Sequence, residues 1–221
     1  MTNIGAEMTG VFNQLTRRSL LDATRELAAR DPDLAVVVDT YGPPPLWARE
    51  SGFHTLIHII LEQQVSLASA KAAYDRLIAA TGRLVPEPFL RLTDAELKSI
   101  GFSRQKTAYG RILAQTILDG RLDLARLETL DDAQAKVHMT AIKGIGSWTA
   151  DIYLLMVLRR PDTWPSGDLA LAAAVQRVKR MRRKPTPEKL ERLGMAWRPW
   201  RAVAARILWH YYLSSPRQQA P

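Results

Sequence analysis

The chain has 221 residues, with nearly half apolar, a quarter charged and a net charge of +9, enough to bury a sizeable core as one domain or two packed lobes. It contains no cysteine, which excludes disulfides, thiolate metal sites and a cysteine-ligated iron–sulfur cluster. No apolar run reaches bilayer length, and the N-terminus has no basic start leading into an apolar core, so a cytoplasmic protein is expected.

In chain order, the first fifty residues accommodate two helices before Gly42-Pro43-Pro44-Pro45 forces an extended or turned segment. Phe53, Leu56, Ile57, Ile60 and Leu61 share one helical face, which breaks at Gln63–Ser66. The pattern resumes at Ala70, Ala73, Tyr74, Leu77 and Ile78 and stops at Gly82. Thr93 and Glu96 are spaced as a capping box for a short helix ending near Gly101. Further helices are predicted from about Ser103 to Gly120, from Asp131–Asp132 to Thr140, and from Ser147 to Leu158. After a proline-rich loop from Arg160 to Gly167, another starts at Asp168 and runs to about Arg182. A short helix follows Pro187, the last spans Trp197–Pro199 to about Leu213, and the tail after Ser214 reads as frayed. Alternating strand patterns are nearly absent, so the expected class is all-α.

The stretch Ile-Lys-Gly-Ile-Gly-Ser-Trp-Thr-Ala-Asp at 142–151 carries the most chemistry. Gly144 and Gly146 remove the Cβ atoms that would keep a phosphate from the backbone. Ser147 is placed to cap the following helix, whose first N–H groups and positive dipole end suit an anion. A lone acid, Asp168, follows one helix and one loop later. Taken alone, it reads first as the cap of its own helix. Asp151 is expected to be exposed or locally paired. Charge points the same way: between Gln176 and Arg206 lie eleven Lys or Arg and two acids, so this segment carries +9 by itself. Such a concentration favours a polyanion, against the plainer reading of a solvated helix face.

Helix 131–140, turn 142–147 and helix 147–158 together form a helix–hairpin–helix. The segments Gly-Ile-Gly-Ser-Trp-Thr-Ala (144–150), Gly-Asp-Leu (167–169) and Trp-Arg-Pro-Trp-Arg (197–201) resemble the helix–hairpin–helix DNA glycosylases. Across residues 50–213 the likeness is nearest to the DNA-3-methyladenine glycosylase II branch. The resemblance implies two helical lobes with the active site in the cleft between them. One lobe is 53–160, with wedge loop and hairpin; the other is 1–52 with 161–221, bearing the catalytic acid and the basic C-terminal helices.

It further implies that Lys143, Gly144, Gly146 and Ser147 hold the DNA backbone, with a monovalent cation on hairpin carbonyls near Ile142 and Ile145. Lys143 departs from the proline usual in the family. Asp168 becomes the catalytic residue, Trp148 and Trp209 line the base pocket, Tyr153 and Trp164 are further pocket candidates, and Gln64 in the loop 63–66 is the wedge. Lyase-competent relatives carry lysine where this chain has Trp148, so the implied activity is monofunctional, on alkylated bases such as 3-methyladenine or 7-methylguanine. The implied partner is double-stranded DNA, bound by a monomer without a cofactor. Two rivals stay open: a non-catalytic helix–hairpin–helix DNA-binding protein, and a glycosylase for deaminated or oxidised bases. His54 and His58 lie one helical turn apart, but no third ligand supports a metal site there.

Overall fold

Every regular element in the computed structural model, which describes residues 14–215, is a helix. The expected fraying after Ser214 falls on residues 216–221, outside the described residues. Two N-terminal helices, α1 (Arg17–Arg30) and α2 (Pro32–Tyr41), are opened by side-chain caps. Thr16 and Ser19 exchange bonds in a capping box, and Asp31 accepts from Asp33 N and Leu34 N ahead of a proline at the first helical position.

The next group is built on α3 (Phe53–Glu62), in which Phe53, Leu56, Ile57, Ile59, Ile60 and Leu61 are all buried. A helix apolar on most of its circumference must sit in the middle of others. Accordingly α4 (Leu67–Thr81), α7 (Arg104–Leu118) and α10 (Ser147–Met156) pack on it. Truncating Ile57 to alanine there would cost about 2–5 kcal/mol. Short helices α5 (Pro86–Arg91) and α6 (Asp94–Ile100) pack on α7, and α9 (Asp132–Thr140) packs on α10. The Thr93–Glu96 capping box is present at the start of α6.

The chain then returns to its beginning. Helix α13 (Arg201–Ser214) packs against α11 (Leu169–Val178), α2 and α1, while α12 (Pro187–Gly194) leads into a single 3-10 turn at Met195–Trp197. The closest helix pairs therefore fall into two groups, although the buried apolar cluster runs through both. Arg206 of α13 stitches them. It is fully buried and donates to the carbonyls of Leu155 (2.7 Å), Leu46 (2.9 Å) and Ala202 (3.0 Å). Burial pulls its pKa down to about 10, still well above neutrality. Backbone bonds from Leu15 N to Arg159 O and from Arg49 N to Met156 O add further ties.

Several boundaries differ from the sequence expectation. Helix α11 ends at Val178 rather than near Arg182, α10 at Met156 rather than Leu158, and α13 starts at Arg201 rather than at Trp197–Pro199. Helix α5 and a further short helix, α8 (Leu124–Thr129), were not expected. Each has six residues, too few for a helical period to emerge from the sequence.

Candidate active site

The hairpin joins α9 to α10 through residues 141–146. Asp131 caps α9 by accepting from Gln134 N at 2.8 Å. Buried Ile142 and Ile145 anchor the turn from below, and Ile145 N closes it onto Ile142 O at 3.0 Å. Gly144 has φ +102°, and a Cβ there would lie 2.4 Å from Cγ of Tyr109, so conformation and space both demand glycine. Lys143 is exposed at the tip.

The cap of α10 is Gly146, not Ser147, and no side chain bonds its first N–H groups. Ser147 is already the first helical residue, and its hydroxyl donates instead to Asp151 Oδ2 at 3.4 Å. The first turn of α10 thus has no side-chain cap, and its N–H groups face outward as a helix start suited to an anion does. Asp151 is paired as expected, to Lys136 at 2.6 Å, but it is buried rather than exposed, and desolvation pushes its pKa above the ordinary aspartate value.

Asp168 arrives from the loop 161–167, which is held by Trp164. That ring is buried and its Nε1 donates to Leu190 O at 3.1 Å, so Trp164 belongs to the scaffold. Asp168 is the N-cap of α11, with Oδ1 accepting from Leu171 N at 2.6 Å. Two indoles complete a clasp: Trp209 Nε1 donates to Oδ1 at 3.0 Å and Trp148 Nε1 donates to Oδ2 at 2.9 Å. Trp148 is the second residue of α10, two beyond Gly146, so one side chain connects the hairpin to the carboxylate. Both tryptophans therefore gather at Asp168, where their N–H groups fix the orientation of the acid.

Tyr153 is corrected. It has no exposed surface and its hydroxyl sits 3.0 Å from Ser51 Oγ, inside the core and not on a pocket wall. Gln64 is exposed at the end of α3 with φ +57°, between Gln63 and the exposed Val65 and Leu67. Gln63 was not singled out from the sequence. Its amide donates to Gly144 O and to Thr149 Oγ1, a bond set that only the folded chain reveals. His58 stacks on Tyr74 with centroids 4.2 Å apart and lies 3.7 Å from Glu62, which is itself clamped by Arg49. Among the described residues no group of three or more His, Asp or Glu is arranged to hold a metal ion.

The basic segment 176–206 divides in two. Lys179 binds Asp31 and Asp33, Arg201 binds Asp162 and Glu191, Arg198 binds Asp162, and Arg206 is the buried stitch. These four charges hold the fold. Arg177, Arg182, Arg183, Lys184, Lys189 and Arg192 are exposed and supply the positive surface, together with Arg180, which reaches Asp33 at 3.4 Å while staying exposed.

A glycine turn leading into an uncapped helix start, wired through one tryptophan to a clasped aspartate on the next helix, places the chain among helix–hairpin–helix proteins. More narrowly, residues 57–199 match the HhH-GPD superfamily of base excision DNA repair proteins, and the chain belongs to that superfamily. It is 28% identical over 169 residues to a DNA-3-methyladenine glycosylase of Bacillus subtilis, an alignment covering 71% of this chain and 56% of the relative. The chain thus spans little more than half of that relative's length. Among solved structures it resembles a DNA-3-methyladenine glycosidase from Bacillus halodurans at TM-score 0.70 and 30% identity, covering 87% of this chain and 89% of that one. A 3-methyladenine DNA glycosylase of Schizosaccharomyces pombe, solved with abasic DNA, superposes at TM-score 0.80 and 24% identity, covering 85% and 95%. That second likeness speaks to the fold.

Proposed function

We propose that this chain is a monofunctional DNA glycosylase that extrudes alkylated purines from duplex DNA and hydrolyses their N-glycosidic bond, acting as a monomer. The observation that carries the reading is the clasp on Asp168, an acid fixed by two indole N–H groups and a helix start, tied to the hairpin through Trp148. An acid oriented in this way suits chemistry in which positive charge develops on the sugar.

The hairpin amides and Lys143 would grip phosphate, while Gln64 enters the space left by the extruded nucleotide. The backbone at Ile142 and Ile145, held by their buried side chains, offers carbonyls for a monovalent cation beside that phosphate, since a carbonyl that already accepts one bond retains a second lone pair. A 3- or 7-alkylated purine carries formal positive charge, so it departs as a neutral base without an acid to protonate it. As the C1′–N bond breaks and its electron pair leaves with the base, Asp168 stabilises the cationic sugar, orients the water whose oxygen bonds to C1′ and accepts the proton that this water sheds. In this reading water, and not an amine of the enzyme, attacks the sugar. Trp148 stands where a Schiff-base lysine would be needed, while Lys136 and Lys179 are held by carboxylates and Lys106 by Leu61 O.

The test is base release from methylated duplex DNA, read as alkali-labile sites, beside duplexes carrying hypoxanthine or 8-oxoguanine. Wild-type protein should release methylated purines. Asp168→Asn should lose at least about a hundredfold in rate while keeping the helix cap, because Asn caps a helix as well as Asp does, although its amide nitrogen cannot accept the bond from Trp148. Asp168→Ala loses the cap too, at about 1 kcal/mol of stability. Wild-type protein that bound DNA but created no labile sites would leave the non-catalytic binding protein as the better reading.

A further inference from the structure

Three consecutive residues at the end of α3 are each tied down from behind. Leu61 O accepts from Lys106 Nζ at 2.7 Å. Glu62 is held in a two-point pair by Arg49, at 2.7 and 3.0 Å. Gln63 uses both protons of its amide nitrogen, one to Gly144 O at 3.1 Å and one to Thr149 Oγ1 at 3.0 Å. The very next residue, Gln64, is exposed and left-handed. The two acceptors are informative. Gly144 is the hairpin glycine pressed against Tyr109, and Thr149 is buried and adjacent to Trp148, which holds Asp168.

We propose that Gln63 is a positioning residue that locks the wedge loop to the hairpin and to the helix bearing Trp148. A duplex gripped by the hairpin then meets Gln64 and Asp168 already in register. The inference rests on the glycosylase reading above and adds to it a residue that touches neither DNA nor sugar. Only a side chain with two donors on one nitrogen serves both acceptors. A thioether or alkyl chain of the same length would leave Gly144 O and Thr149 Oγ1 without these donors and would free the loop to shift against the hairpin.

The test compares two substrates carrying the same alkylated base. In one it is paired in a duplex; in the other it faces an abasic site, where no pairing opposes extrusion. Single-turnover base release is measured on both, with 2-aminopurine beside the lesion reporting extrusion by its fluorescence. For Gln63→Met the rate on the paired substrate should fall on the order of tenfold, the effect of losing one or two hydrogen bonds. The rate on the unpaired substrate should hold within about twofold, and the fluorescence rise on the paired one should shrink. Thr149→Val removes an acceptor from the opposite side and should move the ratio of the two rates in the same direction, by less. If Gln63→Met fails to fold, that ratio in Thr149→Val decides alone. Equal losses on both substrates, or a lowered melting temperature with both rates intact, would show that Gln63 merely braces the fold. Wild-type protein inactive on both substrates would defeat the glycosylase reading itself, an outcome distinct from an unchanged ratio in an active enzyme.

Discussion

Trp209 Nε1 lies 3.0 Å from Asp168 Oδ1, a hydrogen bond between residues 41 positions apart that joins the last helix to the start of α11. With Trp148 on the other oxygen, the carboxylate is gripped from both sides, so neither oxygen rotates without breaking an indole bond. Lining the base pocket was the expected use of these rings. The structure adds the use of their edges.

Trp209→Phe separates the two. Phenylalanine keeps an aromatic face but has no N–H, so Asp168 Oδ1 retains only Leu171 N. One neutral-to-charged hydrogen bond is worth about 1.5–3 kcal/mol. Its loss should slow single-turnover base release on the order of tenfold or more, with DNA affinity little changed. An unaltered rate would mean that Trp209 serves packing alone.

How much of this was legible in the sequence follows from how local each feature is. The capping box at Thr93 and Glu96, the cap at Asp131 and the apolar face of α3 are set within a few residues, and each appears where it was expected. The glycine hairpin is equally local, because Gly144 meets its φ requirement inside one turn. Partners far along the chain were not legible. Lys179 finds Asp31 and Arg201 finds Asp162, so a segment that reads as one basic face is partly internal wiring. Tyr153 shows the same limit: an aromatic on a hairpin helix points to pocket or core only once α3 and its leading loop lie beside it. Ser147 lost the cap because the backbone turns helical one residue early: Gly146 has the extended conformation of a cap and Ser147 already lies in the first turn.

The division of the basic segment makes a salt experiment specific. Lys143 is exposed on the hairpin, so Lys143→Ala should lower the slope of log affinity against log salt by about 0.9, one phosphate contact. Lys179→Ala removes the same formal charge, but from a position already matched to two carboxylates. It should lower thermal stability and leave the salt slope alone. Identical slopes for wild type and Lys143→Ala would take that lysine out of the interface.

Acid should unfold the protein partly through Asp31. Burial opposes its charge, but the bonds from Lys179 and Trp197 outweigh that and hold the carboxyl below its ordinary value. A depressed folded-state value means that the charged form contributes stability above the ordinary aspartate range, and that this contribution drains away as pH falls through the folded value. Asp31→Asn keeps the cap and removes the charge, so it should destabilise near neutrality. The gap to wild type should then close as pH falls through that depressed folded-state value, followed by denaturant titration at each pH. A gap that stayed constant down to that pH would locate the effect in packing. Asp151 has the opposite sign, since desolvation raises its value and its stabilising contribution declines as pH rises through that range.

The last prediction concerns what is left on the DNA. With Trp148 at the Schiff-base position and its indole committed to Asp168, the group attacking C1′ in the proposed mechanism is water. An alkylated oligonucleotide incubated with the protein should remain intact until hot alkali breaks it at the abasic site. Borohydride added during turnover should trap no protein–DNA adduct, because no imine joins enzyme and sugar. Trp148→Lys tests the same point from the other side. It restores an amine at that position but removes one of the two indoles from Asp168, so base release should fall even if some adduct forms. A denaturation-resistant adduct with the wild-type protein would show a lysine reaching the sugar, and the monofunctional proposal would fall while the glycosylase reading stood.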